Sequence, residues 1–279
     1  MTDENIMHEL TGRNITITER VFSYPNYQGS VYRGTLNCNE VGIKVKYYNQ
    51  STANVPLEYQ AWRQMQHPNV IRLFDCFWAW NGMYWYLVFV MEWCLWDAGK
   101  EIVKRKADKR PFVERELWSI AKGLVDALAL MQRQFFAHHN IQLQNIYPFS
   151  QSPKIGDFSC SGFIDGSLKS MPRDTDLTSV SPFLSPELRS AWAFRLHYND
   201  SVTFKSDTYS LGVVLLSLAM LEVPQWLRQV HVSASQVELA VQGLNYSEQF
   251  KQMLNSMLIE DVDFRKDFTQ LNVWLQAYH

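Results

Sequence analysis

The stretch that most limits what this chain can fold into reads His138-His139-Asn140-Ile141-Gln142-Leu143-Gln144-Asn145. After a short gap it is followed by Lys154-Ile155-Gly156-Asp157-Phe158-Ser159. Ahead of it, from Glu114 onward, Leu117, Ile120, Ala121, Leu124, Leu128 and Met131 recur at the i, i+3, i+4, i+7 spacing of a core helix. That helix carries no chemistry of its own; it delivers the polar loop.

At 279 residues and 47% hydrophobic content, the chain can bury one large core or two lobes packed together. The net charge of -2 comes with no basic stripe of the kind that tracks phosphates, so nucleic acid is not an expected partner. Cys38, Cys76, Cys94 and Cys160 lie far apart with no Cys-x-x-Cys pair, which suggests reduced thiols rather than a zinc site or a disulfide framework. The opening Met-Thr-Asp-Glu-Asn is polar and acidic, unlike a signal peptide. The longest apolar region, residues 211–223, is too short and interrupted to span a bilayer. The expectation is a cytoplasmic protein with no membrane partner, the nucleus remaining compatible.

Residues 1–13 read as a tail or a short helix. Ile15-Thr16-Ile17-Thr18, Gly29-Ser30-Val31-Tyr32-Arg33-Gly34 and Val41-Gly42-Ile43-Lys44-Val45 alternate and carry β-branched or aromatic residues, predicting a strand meander. A helix over residues 57–65 ends before His67-Pro68-Asn69-Val70. Two further strands, residues 70–77 and 84–92, flank the turn signal Asn81-Gly82. The lysine and arginine cluster from Lys100 to Arg110 reads as a solvated helix and turn. Ser185-Pro186-Glu187, then Phe204-Lys205-Ser206-Asp207-Thr208-Tyr209-Ser210-Leu211-Gly212, and finally Asp263-Phe264-Arg265 complete the landmarks.

In this order, the landmarks resemble the protein kinase family over nearly the whole chain. The resemblance implies an α+β, two-lobed protein-kinase-like fold with a small β-rich N-lobe bearing one main helix and a larger, mostly helical C-lobe. It implies a single domain over 1–279, with a tail at 1–13, an N-lobe at 14–93 and a C-lobe at 94–279. The family loop His-Arg-Asp-x-x-x-x-Asn becomes His138 to Asn145, with Asn140 in the place of the catalytic aspartate. Val41-Gly42-Ile43-Lys44 matches the strand that carries the ATP lysine, and Glu58 stands at the offset of its helical partner. A lone strand lysine is usually a solvated edge charge; for Lys44 this context points the other way.

On the same resemblance Gly29 and Val31 belong to the glycine-rich loop, whose other two glycine positions are Tyr24 and Asn26. Phosphate grip should therefore weaken. Met91 gates the adenine pocket, and Glu92, Trp93 and Cys94 form the hinge. Asn145 and Asp157 hold magnesium. Trp62, Leu73, His138 and Phe158 are packing posts, Trp62 being equally well an ordinary core residue. Asp207 should brace the loop backbone, and Glu187 should pair with Arg265.

The phosphoryl-transfer parts differ together. Asn140 has no basic site near pH 7, Gln142 replaces a lysine, and Val180 stands where a threonine is kept, unless a gap shifts that position to Thr178. His139 replaces the arginine that binds a loop phosphate, and Ser159 restricts a hinge normally made by glycine. Losing a general base removes about 10²- to 10⁴-fold in rate, and losing a charge-stabilising donor about 10²- to 10³-fold. The reading that follows is a pseudokinase that binds ATP and magnesium, weakly, and acts on an unidentified protein partner. The alternatives are a slow or atypical serine/threonine kinase and a scaffold with an empty pocket.

Overall fold

Alternating apolar and polar side chains give the N-terminal part of the chain its sheet, because successive residues of a strand face opposite sides. The computed structural model describes residues 4–23, 29–48, 57–80, 84–94, 96–147, 152–163, 181–194 and 203–277. The chain divides into two compact units, Met1–Gln66 with Ile71–Leu95, and His67–Val70 with Trp96–His279.

In the first unit, helix α1 (Glu4–Gly12) precedes strands β1 (Ile15–Ser23), β2 (Gly29–Leu36) and β3 (Asn39–Tyr48). Helix α2 (Leu57–Gln64) then leads to β4 (Leu73–Trp80) and β5 (Trp85–Glu92). The five strands form one antiparallel sheet in the order β1-β2-β3-β5-β4. Val41, Ile43 and Val45 bury one face of β3 with Val88 and Val90 of β5, in a cluster that Leu10 of α1 closes. Of the two readings for residues 1–13, the short helix is the one found. Trp62 of α2 stacks on Phe89 at 5.8 Å and donates its indole N–H to the Ile71 carbonyl at 2.6 Å.

Strands β1, β2 and β3 run longer than the local patterns suggest, since ladder pairing carries residues that alternation alone does not mark. The opposite correction applies at Val70. The sequence pattern places it in a strand with Phe77, but its N–H turns back to the His67 carbonyl at 3.0 Å and it bridges Ile155 in parallel. The Asn81-Gly82 turn lies outside the described residues.

The second unit begins with α3 (Ala98–Ala107), capped by Asp97, whose carboxylate accepts the Lys100 N–H at 3.0 Å. Helix α4 (Glu114–Arg133) leads through β6 (Phe136–Ala137) into the polar loop. Strand β7 (Ile146–Tyr147) pairs with β8 (Lys154–Ile155), and β9 (Gly162–Phe163) pairs with β6. Helices α5 (Pro186–Phe194), α6 (Thr203–Met220), α7 (Ala234–Gln242), α8 (Glu248–Met257) and α9 (Phe268–Ala277) complete the unit. Every residue from 206 to 218 is buried, so α6 is a central helix packed on all sides, its buried polar residues included. Among the described residues no helix is long and apolar enough to cross a membrane. All four cysteines are free thiols.

The cluster from Lys100 to Arg110 is not uniformly solvated. Arg105 forms a two-pronged pair with Glu116 at 2.9 and 2.8 Å, bonds Glu101 at 2.6 Å and lies over the Phe112 ring at 3.8 Å. Position 105 is thereby a structural contact between α3 and α4.

Glu187 and Arg265 meet as a two-pronged pair at 2.7 and 3.0 Å, with Arg265 fully buried. The other guanidinium bonds go to the carbonyls of Ile259, Lys205 and Glu260, so every donor is satisfied. Burial alone would raise the Glu187 pKa, but Arg265 and Ser206 draw it below its ordinary value. Its stabilising contribution is therefore complete above the unfolded carboxylate value of about 4.3 and is lost as pH falls through the lowered folded value. Replacing one partner, as in Arg265→Met, should cost about 3 to 5 kcal/mol by leaving a buried carboxylate unpaired. Urea denaturation at pH 7 reads the loss, and a loss under 1 kcal/mol would contradict it.

Candidate functional site

In the first unit, β3 presents Lys44 and Lys46 on the face opposite the apolar cluster. The Lys44 ammonium meets Glu58 Oε1 at 2.6 Å, with the two side chains only 3% and 4% exposed. Lys46 bonds the other oxygen, Oε2, a contact the linear motif does not announce. Burial first, and then the Glu58 charge, push the nearby Cys76 thiol up to about 12 and raise Tyr48.

Gly29 opens β2 at φ 154, and a Cβ there would sit 2.2 Å from the Val45 carbonyl oxygen, so only glycine fits. Val31 lies directly opposite Lys44 in the β2–β3 register. Tyr24 and Asn26 lie outside the described residues. The Met91 side chain covers Gly42, where an added Cβ would come within 3.1 Å of its Cε. Glu92 is tied to Arg72 twice, its N–H to the Arg72 carbonyl at 2.8 Å and its carboxylate from the Arg72 N–H at 3.2 Å. Trp93 and Cys94 follow the strand end, both half-buried.

In the second unit the loop is held from beneath. The buried Asp207 carboxylate accepts the backbone N–H groups of His138 at 2.7 Å and His139 at 3.0 Å. His139 itself takes a left-handed conformation, φ 61, which turns the chain that follows it. His138 Nδ1 accepts the Asn140 N–H at 3.2 Å, so Nε2 carries the proton that faces the Gly156 carbonyl, also at 3.2 Å. The ring centroid of His138 is 5.2 Å from that of Phe158.

Asn140 stands at the centre of a directed chain of amides. Its Nδ2 donates to Asp157 Oδ2 at 3.0 Å, and its Oδ1 accepts from Gln142 Nε2 at 3.1 Å. A carboxylate only accepts, which fixes the orientation of the Asn140 amide and, through it, that of Gln142. Asn145 Nδ2 donates to the Asn140 carbonyl at 2.8 Å, and the Gly156 N–H returns to the Asn145 carbonyl at 3.0 Å. The loop thus draws Asn140, Gln142, Asn145 and Asp157 together. Val180 and Thr178 lie outside the described residues.

The His67-Pro68-Asn69-Val70 segment contributes more than a helix boundary. Asn69 Nδ2 donates to the Pro153 carbonyl at 2.6 Å and its own carbonyl accepts the Ile155 N–H at 2.8 Å, seating β8 two residues before Asp157. An Asn after His-Pro gives no hint of this in the sequence, because its partners lie more than eighty residues on.

Among the described residues no group of three or more His, Cys, Asp or Glu could hold a metal ion by itself. The oxygens on offer are one amide oxygen from Asn145 and the Asp157 carboxylate, of which Oδ2 already takes the Asn140 amide. That donor set fits magnesium only when phosphate oxygens supply further ligands, as hard-cation sites at nucleotides do.

The protein kinase domain family matches residues 27–273. Among curated proteins the chain is similar to U-box domain-containing protein 33 of Arabidopsis thaliana, 30% identical over 203 residues, covering 68% of this chain and 22% of that protein. It is similar to the serine/threonine-protein kinase TAO2 of Rattus norvegicus, 24% identical over 242 residues, covering 82% of this chain and 18% of that protein. Cyclin-dependent kinase F-4 of Oryza sativa subsp. japonica is 25% identical over 250 residues, 83% of this chain and 50% of that protein. The chain thus spans from about a fifth to half the length of these relatives.

The loop should make the fold acid-sensitive. Burial pushes His138 and His139 down to about 4, so the folded protein refuses protons that the unfolded chain takes up below its ordinary 6.5. Burial lifts Asp207 from 3.8 to about 7, against the pull of the His138 and His139 N–H groups, which works in the opposite direction over that range. Two depressed imidazoles outweigh one raised carboxylate. Stability from these groups is therefore full above about pH 6.5 and falls as pH drops toward 4. Denaturation midpoints between pH 7 and pH 4.5 should show the decline. His139→Asn, which tolerates the left-handed backbone and cannot titrate, should flatten it; an unchanged slope would rule the mechanism out.

Proposed function

Because the chain belongs to the protein kinase family, we propose that it is a kinase-fold module which binds ATP but whose phosphoryl-transfer step is disabled, and which acts by engaging another protein. The family in general uses ATP and magnesium. In this chain the residues that would hold the nucleotide phosphates and metal are Lys44, Asn145 and Asp157, and a bound magnesium would neutralise charge on the phosphates. The observation that carries the proposal is the Asn140 side chain, whose carboxamide lies between Asp157 and Gln142. A substrate hydroxyl needs a group that accepts its proton, and an amide oxygen does not do so near neutral pH. Gln142 adds no positive charge to the transferring phosphoryl group.

A specific set of contacts favours the second reading, a slow serine/threonine kinase. Lys44 is paired with Glu58, Asp207 holds the loop, and Glu187 is paired with Arg265. Phosphoryl transfer is mostly positioning and electrostatics, and those supports are of the positioning kind. TAO2 and cyclin-dependent kinase F-4 bear kinase names, at 24% and 25% identity to this chain.

Two measurements separate the readings. ATP should raise the melting temperature of the protein, and Lys44→Met should diminish that rise; no response to ATP with or without magnesium would favour the empty scaffold. With labelled ATP and generic protein substrates, the wild type should fall well below the roughly 1 to 100 per second of ordinary kinases. The pair Asn140→Asp with Gln142→Lys should raise transfer by about 100-fold or more. Ordinary turnover in the wild type, abolished by Lys44→Met and by Asp157→Ala, would overturn the proposal.

A further inference from the structure

Lys44 and Lys46 are two residues apart on β3, so their side chains leave the same face of the sheet. Both end on one carboxylate. Lys44 takes Glu58 Oε1 at 2.6 Å and Lys46 takes Oε2, one oxygen to each ammonium. The Glu58 side chain is 4% exposed, that of Lys44 3%, and that of Lys46 21%. A surface lysine in an ion pair ordinarily contributes little. Here the partner is a buried carboxylate, and leaving such a group without a cation is strongly unfavourable.

Glu58 lies in the first turn of α2, a helix of only 8 residues. Besides Ala61 and Trp62, the latter stacked on Phe89, the register partner of Lys44, the described residues of the helix bury only Glu58. The placement of α2 against the sheet therefore depends on Glu58 keeping a counter-charge. With a single lysine, any movement of that ammonium toward a ligand would strip the carboxylate. With two, each on its own oxygen, one can move while the other stays.

We propose that Lys46 is a positioning residue of the nucleotide site, holding Glu58 and α2 in place while the Lys44 ammonium turns toward a nucleotide phosphate. Its nucleotide half rests on the reading that this chain binds ATP. Its other half, the redundancy of the two lysines toward Glu58, needs no ligand.

The test is a double-mutant cycle on the full chain with two readouts. In thermal denaturation without ligand, Lys44→Met and Lys46→Met should each lower the melting temperature by a few degrees, since Glu58 keeps one cation in either. The double variant should lose roughly 5 °C or more beyond the sum of the singles, the signature of a carboxylate stripped of both partners. In equilibrium titration with ATP, Lys46→Met should raise the Kd by roughly tenfold or more, the scale on which supporting contacts act on a bound group, and Lys46→Arg should restore it. Additive melting shifts would overturn the redundancy. An unchanged ATP Kd in Lys46→Met, with the wild type binding, would overturn the positioning role. A wild type that ignores ATP overturns the nucleotide reading instead, and the melting cycle alone then decides whether Lys46 is the second anchor of Glu58.

Discussion

The buried carboxylate of Asp207 is the contact on which the loop geometry depends. It accepts two successive backbone N–H groups, and the second of these residues, His139, then turns the chain through the left-handed region. The turn sends Asn140 toward Asp157. Asp207 itself is fixed by its place in α6, where it is one of a run of buried residues. The start of α6 is in turn held by Arg265, which bonds the Lys205 carbonyl and Glu187, while Ser206 donates to the same carboxylate at 2.7 Å. A line of force thus runs from α5 through the Glu187–Arg265 pair to the first turn of α6 and on to the polar loop. Each link is a buried polar or ionisable group held by hydrogen bonds, the condition under which burying such groups is tolerable.

The first unit uses the two faces of β3 for different ends. One face, with Ile43 and Val45, joins an apolar cluster; the other carries the two lysines that meet Glu58. A one-residue slip in register would exchange the faces and bury the lysines among Val88 and Val90. The hydrophobic pattern that makes the sheet therefore also specifies which face receives α2, and Trp62 adds a shaped contact by stacking on Phe89. Fold and site share one periodicity.

That sharing explains what could be read from the residues alone. The strands, the helix with Glu58, the long helix before the loop, and the Glu187–Arg265 partnership all follow from spacing or from family resemblance, and the polar loop could be aligned residue by residue. What escaped are contacts that depend on long-range docking. Lys46 looks like any strand lysine until α2 brings Glu58 above it. Arg189 sits fully buried, donating to the carbonyls of Pro182, Leu184, Leu227 and Gln229, and no motif marks a guanidinium held by these carbonyls. Arg105 reads as solvated because its partner Glu116 lies on the next helix. Val70 fits a strand by composition, yet its backbone follows the turn begun at His67.

The amide chain Gln142 to Asn140 to Asp157 also explains why positions 140 and 142 should differ from the family together. A carboxylate at 140, in the pose now held by the amide, would face Asp157 across 3.0 Å, and two like charges that close are unfavourable unless a cation or proton intervenes. A lysine at 142 would supply such a cation from the other side. Asn140 removes the repulsion by donating to Asp157, a hydrogen bond to a charged group of about 1.5 to 3 kcal/mol. Its oxygen is then left needing a donor that brings no charge, which Gln142 provides at 3.1 Å. Changing either residue alone would leave an unpaired carboxylate or a cation facing an amide already oriented for another partner. The two residues thus form one self-consistent arrangement, each amide satisfying its neighbour.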